Sequence, residues 1–481
     1  MNQLLRCKSI DQLISASEHS SQRLQKTLGL WSLIALGVGA VIGSGIFTLT
    51  GTAAAGVTMK YQSVLNAPVL DLLRYGPDAI STIGRPGAGP GVVLSFLLVA
   101  IACGFAALCY AELASMIPIA GSTYTYAYAT LGEIFAWIIG WDLILEYAVS
   151  NMSVAVGFSG YFNDVLENVF GWHLPPEWSG PAFKAGAATG NIFNVPALLI
   201  MILLTWILIR GVKESANATS VMVVIKMAAI LAFVVGAANA IKPEHWVPFL
   251  PNGVSGVVSG AAIVFFAYIG FDSVSTAAEE CKNPKKDIPW GILITLAICT
   301  VLYGAVALVL TGIVPYQSLD NDEPVARALK DIGYNKLRIF VSIGALVGMW
   351  SSLLVYQYGQ ARIWFAMSRD KLLPGLFSSI HPKYRTPHIS TWIAGFLVGI
   401  PAGLWDIATF ADLANIGTLF AFIVVSAGVI VLRRKQPERK RSFTVPWVPF
   451  LPILSIVCCF VLMLGLPLET WLRFFIWLAI G

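Results

Sequence analysis

The chain of 481 residues is 57% hydrophobic and only 12% charged, with a mean hydropathy of +0.75. That balance excludes a soluble globular protein, soluble enzymes included, and marks an all-α polytopic membrane protein. The net charge of +5 does not indicate a nucleic acid partner, because Lys and Arg collect in short loops between apolar stretches, as in cytoplasmic loops of membrane proteins.

Residues 1–30 are polar and mixed in charge, without the basic tip, apolar core and small-residue cleavage site of a signal peptide, and are expected to form a cytoplasmic segment. Twelve apolar stretches of roughly bilayer-crossing length, about 20 residues, then follow. Spans 1 to 5 are expected at Trp31–Ala55, Val92–Met116, Glu133–Tyr161, Val195–Ile209 and Ala216–Ala240. Spans 6 to 10 are expected at Val254–Ala278, Trp290–Val314, Leu337–Met367, Ile389–Trp405 and Ile407–Leu432, and spans 11 and 12 at Pro449–Leu464 and Leu468–Gly481. The last is short: at about 1.5 Å per residue it reaches only some 20 Å.

A loop at about 57–90, rich in Gly and Pro, reads as an external cap or insertion. With the N-terminus inside, about twice as many basic residues fall on the cytoplasmic side as outside, and the Arg433–Arg441 cluster reinforces that orientation in a cell membrane. The seven cysteines map to helices or to the cytoplasmic side, so neither a disulfide framework nor a zinc site is implied. Catalytic triads, phosphate loops and metal-ligand spacings are absent from the sequence, and neither a metal nor a cofactor is expected.

Two spans carry glycine breaks: Gly43-Ser44-Gly45 in span 1 and Ile269-Gly270-Phe271 in span 6. Taken singly, each could be a packing contact, and Gly39-x-x-x-Gly43 has the spacing that lets two helices approach closely. Their correspondence carries the functional reading, because each opens a block of five spans. A helix unwound inside a bilayer leaves backbone groups that lipid cannot satisfy, and paired breaks of this kind mark transporter binding sites. N–H groups where span 1 resumes present partial positive charge to a carboxylate, and carbonyls near Ile269 accept from an ammonium. The two ends of an amino acid fit that polarity. Ser44 adds a hydroxyl, and the flanking glycines permit close approach.

Lys226 lies about ten residues into span 5, roughly 15 Å deep. A structural ion pair or a lysine held by backbone carbonyls is one reading, and an ion or proton pathway is the other. Glu146 in span 3 is about as deep, and is either a satisfied acid, a proton-sensitive group or a reader of a basic side chain. Asp272, Glu279 and Glu280, close in sequence to Lys282, Lys285 and Lys286, read as gate or surface ion pairs.

The strings Gly43-Ser44-Gly45-Ile46-Phe47, Tyr110-Ala111-Glu112-Leu113, Gly121-Ser122-Thr123-Tyr124-Thr125-Tyr126 and Tyr268-Ile269-Gly270-Phe271-Asp272 are long and specific. With Glu279-Glu280, Asn283-Pro284, Gly359-Gln360-Ala361-Arg362, Ser368-Arg369-Asp370-Lys371-Leu372-Leu373-Pro374 and Asn415-Ile416-Gly417-Thr418-Leu419, the chain resembles the amino acid-polyamine-organocation superfamily over nearly its whole length. The likeness is strongest to the cationic amino acid transporter branch and its bacterial relatives.

The resemblance implies a LeuT-type fold of two inverted five-helix repeats, 31–240 and 241–435, followed by two further helices in 436–481. It implies substrate between spans 1 and 6, with Val41, Gly43, Ser44 and Gly45 at the carboxylate and Phe266, Ala267 and Ile269 at the ammonium, Phe266 acting as a gate. Lys226 matches a position where this branch carries a lysine in place of a sodium ion, which implies proton coupling. Tyr356 matches a pocket-facing position in span 8, where a large ring crowds long side chains. The expected activity is therefore proton-coupled import of a small or medium neutral amino acid by alternating access. Cationic amino acid transport or exchange, sodium coupling and non-transporting sensing remain as alternatives. The expected partners are substrate, protons and the lipid bilayer, and the sequence does not say whether an accessory subunit joins them.

Overall fold

The computed structural model of the chain describes residues 7, 9–11, 28–58, 63–76, 84–118, 122–184, 187–210, 216–278, 281–369, 373–384 and 386–481. Glu279 and Glu280, most of the 1–30 segment, Gly121, Asp370, Lys371, Leu372, and 59–62 and 77–83 of the long loop lie outside the described residues. The remainder is almost entirely helical, apart from two short antiparallel strand pairs.

Helix α1 (Leu30–Val41) stops where Ile42 turns extended, at φ −79° and ψ 98°, and the chain resumes as a π-turn (Gly45–Leu49) leading into α2 (Thr50–Ala55). The two parts are bent by 46°. Three spans follow the expectation closely: α4 (Val92–Met116) and α7 (Val195–Ile209) coincide with it, while α6 (Glu133–Val165) extends past the expected end. Between them stand α3 (Val69–Tyr75) and α5 (Ser122–Thr130). Helix α8 (Ala216–Ala237) carries Lys226.

The sixth span is broken as well. Helix α9 (Gly253–Val264) tightens into a 3₁₀ turn (Phe265–Tyr268), Ile269 is extended, and Gly270 sits at φ +114°, a conformation that side-chain-bearing residues rarely adopt. The chain re-forms as the single turn α10 (Ser273–Thr276). Then come α11 (Pro284–Ile313), the short α12 (Pro324–Asp331), α13 (Asn335–Arg369), α14 (His388–Leu404), α15 (Ile407–Lys435), α16 (Phe450–Leu464) and α17 (Leu468–Ile480).

Among the described residues six helices are long and apolar enough to cross a membrane, and the bent pair Leu30–Val41 and Gly45–Ala55 makes a seventh. That is fewer than the expected twelve. Helices α7, α14 and α16 are apolar but shorter, α17 has only 13 residues and carries Glu469 and Arg473, and α6 carries Asp142, Glu146 and a run of Ser and Asn that lower its hydropathy. In the core, α6 packs on α13 and α15, α4 on α11, α7 on α14, and α8 on α13 and α1.

The described part of the 57–90 loop is tied down at both ends. Gly56–Val57 pairs with Arg85–Pro86, Leu468 N donates to Ala67 O at 3.1 Å, and Val69 N donates to Leu466 O at 3.1 Å. Arg85 also forms a buried ion pair with Asp412 of α15 at 2.7 Å. Two ends of the molecule can thus be distinguished. The basic end carries the start of α1 and α11 and the close of α15, and the opposite end carries α3 and α12.

Candidate functional site

The two breaks face each other at the centre of the bundle. A Cβ on Gly45 would lie 2.5 Å from Ala267 Cα and 2.7 Å from its Cβ, so the π-turn after the first break rests directly on the 3₁₀ turn before the second. Across from it, Gly270 lies against Ala40. Gly43 lies against Ser352 of α13. The glycines therefore serve close packing and chain reversal together.

The residues assigned to substrate from the sequence are all buried here. Val41, Gly43, Ser44, Gly45, Phe266, Ala267, Ile269 and Tyr356 lie at or beside the breaks, and all are buried. Ser44, fully buried, keeps its hydroxyl without a hydrogen-bond partner among the described residues, and its Cβ lies beside Gly157 of α6, which leaves room for it. An unpartnered buried hydroxyl is costly unless something transient satisfies it.

The carbonyls assigned to an ammonium already have partners. Tyr303 of α11 donates its hydroxyl to Ala267 O at 2.8 Å and lies 3.2 Å from Val41 O, bridging both breaks with one side chain. Tyr356 donates to Ile269 O at 3.3 Å and packs edge-on against Tyr147, with ring centroids 5.9 Å apart. Tyr356 thus acts first as a cap on the second break, beyond the crowding role expected of it. Each carbonyl keeps a second lone pair for another donor.

Lys226 is fully buried, and its Nζ donates to Gly39 O at 2.5 Å and to Ile42 O at 2.8 Å, with Ser351 Oγ at 3.4 Å. Those two carbonyls belong to the last turn of α1 and to the residue just beyond it. A cation at a helix C-terminus satisfies orphan carbonyls and meets the negative end of the helix dipole. The lysine therefore takes up backbone groups that the break leaves open.

Below the breaks, toward the basic end, lies a group of acids. Glu146 neighbours Asp142, Asp272 and Thr418. Both oxygens of Asp142 and Oε2 of Glu146 have no hydrogen-bond partner among the described residues. The surface part of the sequence reading of Asp272, a gate or surface ion pair, is corrected: it is only 7% exposed and lies near Tyr110, Tyr147 and Tyr356 as well as Glu146. The turn after Gly270 carries it inward.

At the opposite end, α12 forms a lid. Its Val325, Ala326, Ala328 and Leu329 are buried, it packs on α2 and the π-turn, and Thr48 donates to Asp322 O at 3.0 Å. Glu323, at the lid's N-terminal edge, is pushed up to about 7, first by burial, then by Asp322 and Asp164, against the opposing pull of Arg327 and Arg338. Burial of Glu323 in this packing therefore favours its protonated form. The resulting stabilisation is complete below the ordinary value of 4.5 and is lost as pH rises through about 7. Hydrogen exchange of residues 316–331, corrected for intrinsic rates, is expected to slow on acidification through that range, and Glu323→Gln is expected to flatten the dependence. An unchanged profile in the variant would contradict this role.

The sequence profile of the amino acid permease family matches residues 28–481. The methylthioribose transporter of Bacillus subtilis is 46% identical over 481 residues, covering 100% of this chain and 96% of the relative. The branched-chain amino acid permease BcaP of the same organism is 45% identical over 479 residues, covering 99% and 96%. Cationic amino acid transporter 4 of Arabidopsis thaliana, a vacuolar protein, is 34% identical over 450 residues, covering 91% and 68%.

Proposed function

The chain belongs to the amino acid permease family, a multi-pass membrane transporter and not an enzyme, and from that premise we propose a proton-coupled importer of a neutral amino acid. The proposed frame is the LeuT-type arrangement, with 31–240 and 241–435 as inverted repeats and the basic end cytoplasmic. Substrate binds where the breaks meet. Its carboxylate takes the N–H groups after the first break and the Ser44 hydroxyl, and its ammonium uses the second lone pairs of the Ala267 and Ile269 carbonyls. Phe266 closes over it.

The observation that carries the reading is Lys226 on the carbonyls of Gly39 and Ile42. A protonated amine holds the end of α1 in place, and loss of the proton removes the charge from that contact, so the protonation state biases which way the core opens. The ring of Tyr356 and the name of the BcaP relative favour a branched aliphatic side chain.

A second reading has its own support. The acids Asp142, Glu146 and Asp272 beneath the breaks would suit a cationic side chain. Thermal stabilisation of the purified protein separates the two, since a specific ligand raises apparent stability by mass action. Leucine, isoleucine or valine is expected to stabilise it, by about 2.7 kcal/mol at a hundredfold excess over Kd. Stabilisation by arginine or lysine alone would instead support the cationic reading, and by methylthioribose alone would remove amino acids as the substrate.

A further inference from the structure

At the basic end, a cavity of about 450 Å³ is lined by Lys285, Lys286, Pro289, Trp290, Ser442 and Phe443. We propose that it binds the headgroup of an anionic phospholipid from the adjoining leaflet. Both lysines are exposed, and their ammonium groups form no ion pair or hydrogen bond among the described residues. The nearby acids Asp287 and Glu438 are not among the lining residues.

One wall of the cavity is rigidly built. Glu112, at the close of α4, accepts from Arg433 Nε at 2.8 Å, Arg433 Nη2 at 2.7 Å and Val445 N at 2.7 Å, and pairs with Arg441 Nε at 3.2 Å. One carboxylate thus fixes both ends of the segment that presents Ser442 and Phe443. Because it faces two guanidinium groups, the clamp also leaves a positive surplus beside the lysines.

Continuity with the lipid-facing surface selects the occupant. Lys286, Trp290, Ala297 and Val301 recur at helical spacing on one exposed face of α11. Phe450, Ile453 and Val457 form a matching exposed stripe on α16. Both helices pack on α4. A diacyl phosphate seated at the lysines would therefore find apolar surface for its chains directly below, whereas a soluble anion would leave that surface unused. Basic pockets between spanning helices at the cytoplasmic face recognise anionic headgroups in this way.

The test is native mass spectrometry of the full chain in detergent supplemented with phosphatidylglycerol or phosphatidylcholine. Wild type is expected to retain phosphatidylglycerol about tenfold or more over phosphatidylcholine. Lys285→Gln/Lys286→Gln is expected to bring the ratio near parity, while Lys330→Gln/Lys336→Gln, at the opposite end, leaves it unchanged. Equal retention of the two lipids by wild type, or an unchanged preference in the first double variant, overturns the proposal. So does release of the retained phosphatidylglycerol by inorganic phosphate or glycerol phosphate, which would mark a soluble-anion site.

Discussion

Proteoliposomes carrying Lys226→Met are expected to lose acid-driven accumulation of substrate while still binding it. The ammonium sits on Gly39 O and Ile42 O, at the point where α1 ends and the first break begins. Methionine is one heavy atom shorter, keeps the unbranched apolar stem and donates nothing, so the carbonyls lose a charged partner. A hydrogen bond to a charged group contributes about 1.5–3 kcal/mol, which corresponds to roughly a ten- to hundredfold fall in the proton-coupled rate. Equilibrium binding should change far less, because Lys226 touches the helix and not the proposed substrate position. Uptake with and without a pH gradient, paired with binding of the same amino acid, separates these effects. A variant that kept its acid stimulation would remove Lys226 from the coupling mechanism.

Gly45→Ala is the second large effect. Its new Cβ would stand 2.5 Å from Ala267 Cα and 3.0 Å from Ala267 N, backbone atoms that cannot rotate aside. The two breaks must separate, and overpacking of this kind costs about 1–3 kcal/mol. The cost falls on the arrangement seen here, in which the two breaks touch, and uptake is expected to drop by about tenfold or more. Ala267→Gly removes one of the clashing atoms, at 2.7 Å, but leaves the Cα. The double variant is therefore expected to recover part of the rate. If Gly45→Ala transported normally, the direct contact between the breaks would not be part of the working cycle.

How much of this was legible in the sequence depended on the range of the signal. Spans 2 and 4 coincide with α4 and α7 because both are unbroken apolar runs flanked by Gly, Pro or polar residues. The breaks were legible because Gly-Ser-Gly and Ile-Gly-Phe interrupt otherwise helical patterns, and Lys226 because a lysine at membrane depth needs a partner. Tyr303 left no such trace. It meets Ala267 and Val41 across separations of 36 and 262 residues, and a tyrosine in an apolar helix reads as ordinary core. The lid α12 was missed because it is only 8 residues long, too short to register as a span, although its buried face shows the helical period. Asp272 is buried rather than at the surface, which its lysine-rich sequence surroundings do not show, because Gly270 at φ +114° redirects the chain. Local patterns thus located the breaks, while the side chains that brace them came only from the tertiary arrangement.

The most direct test of the central claim is accumulation of a branched-chain amino acid by wild-type proteoliposomes, measured with an imposed inward pH gradient and no sodium. Concentrative uptake that collapses when a protonophore dissipates the gradient is the predicted result. Uptake that only equilibrates, or that is unaffected by the protonophore, would contradict proton-coupled transport through the paired breaks.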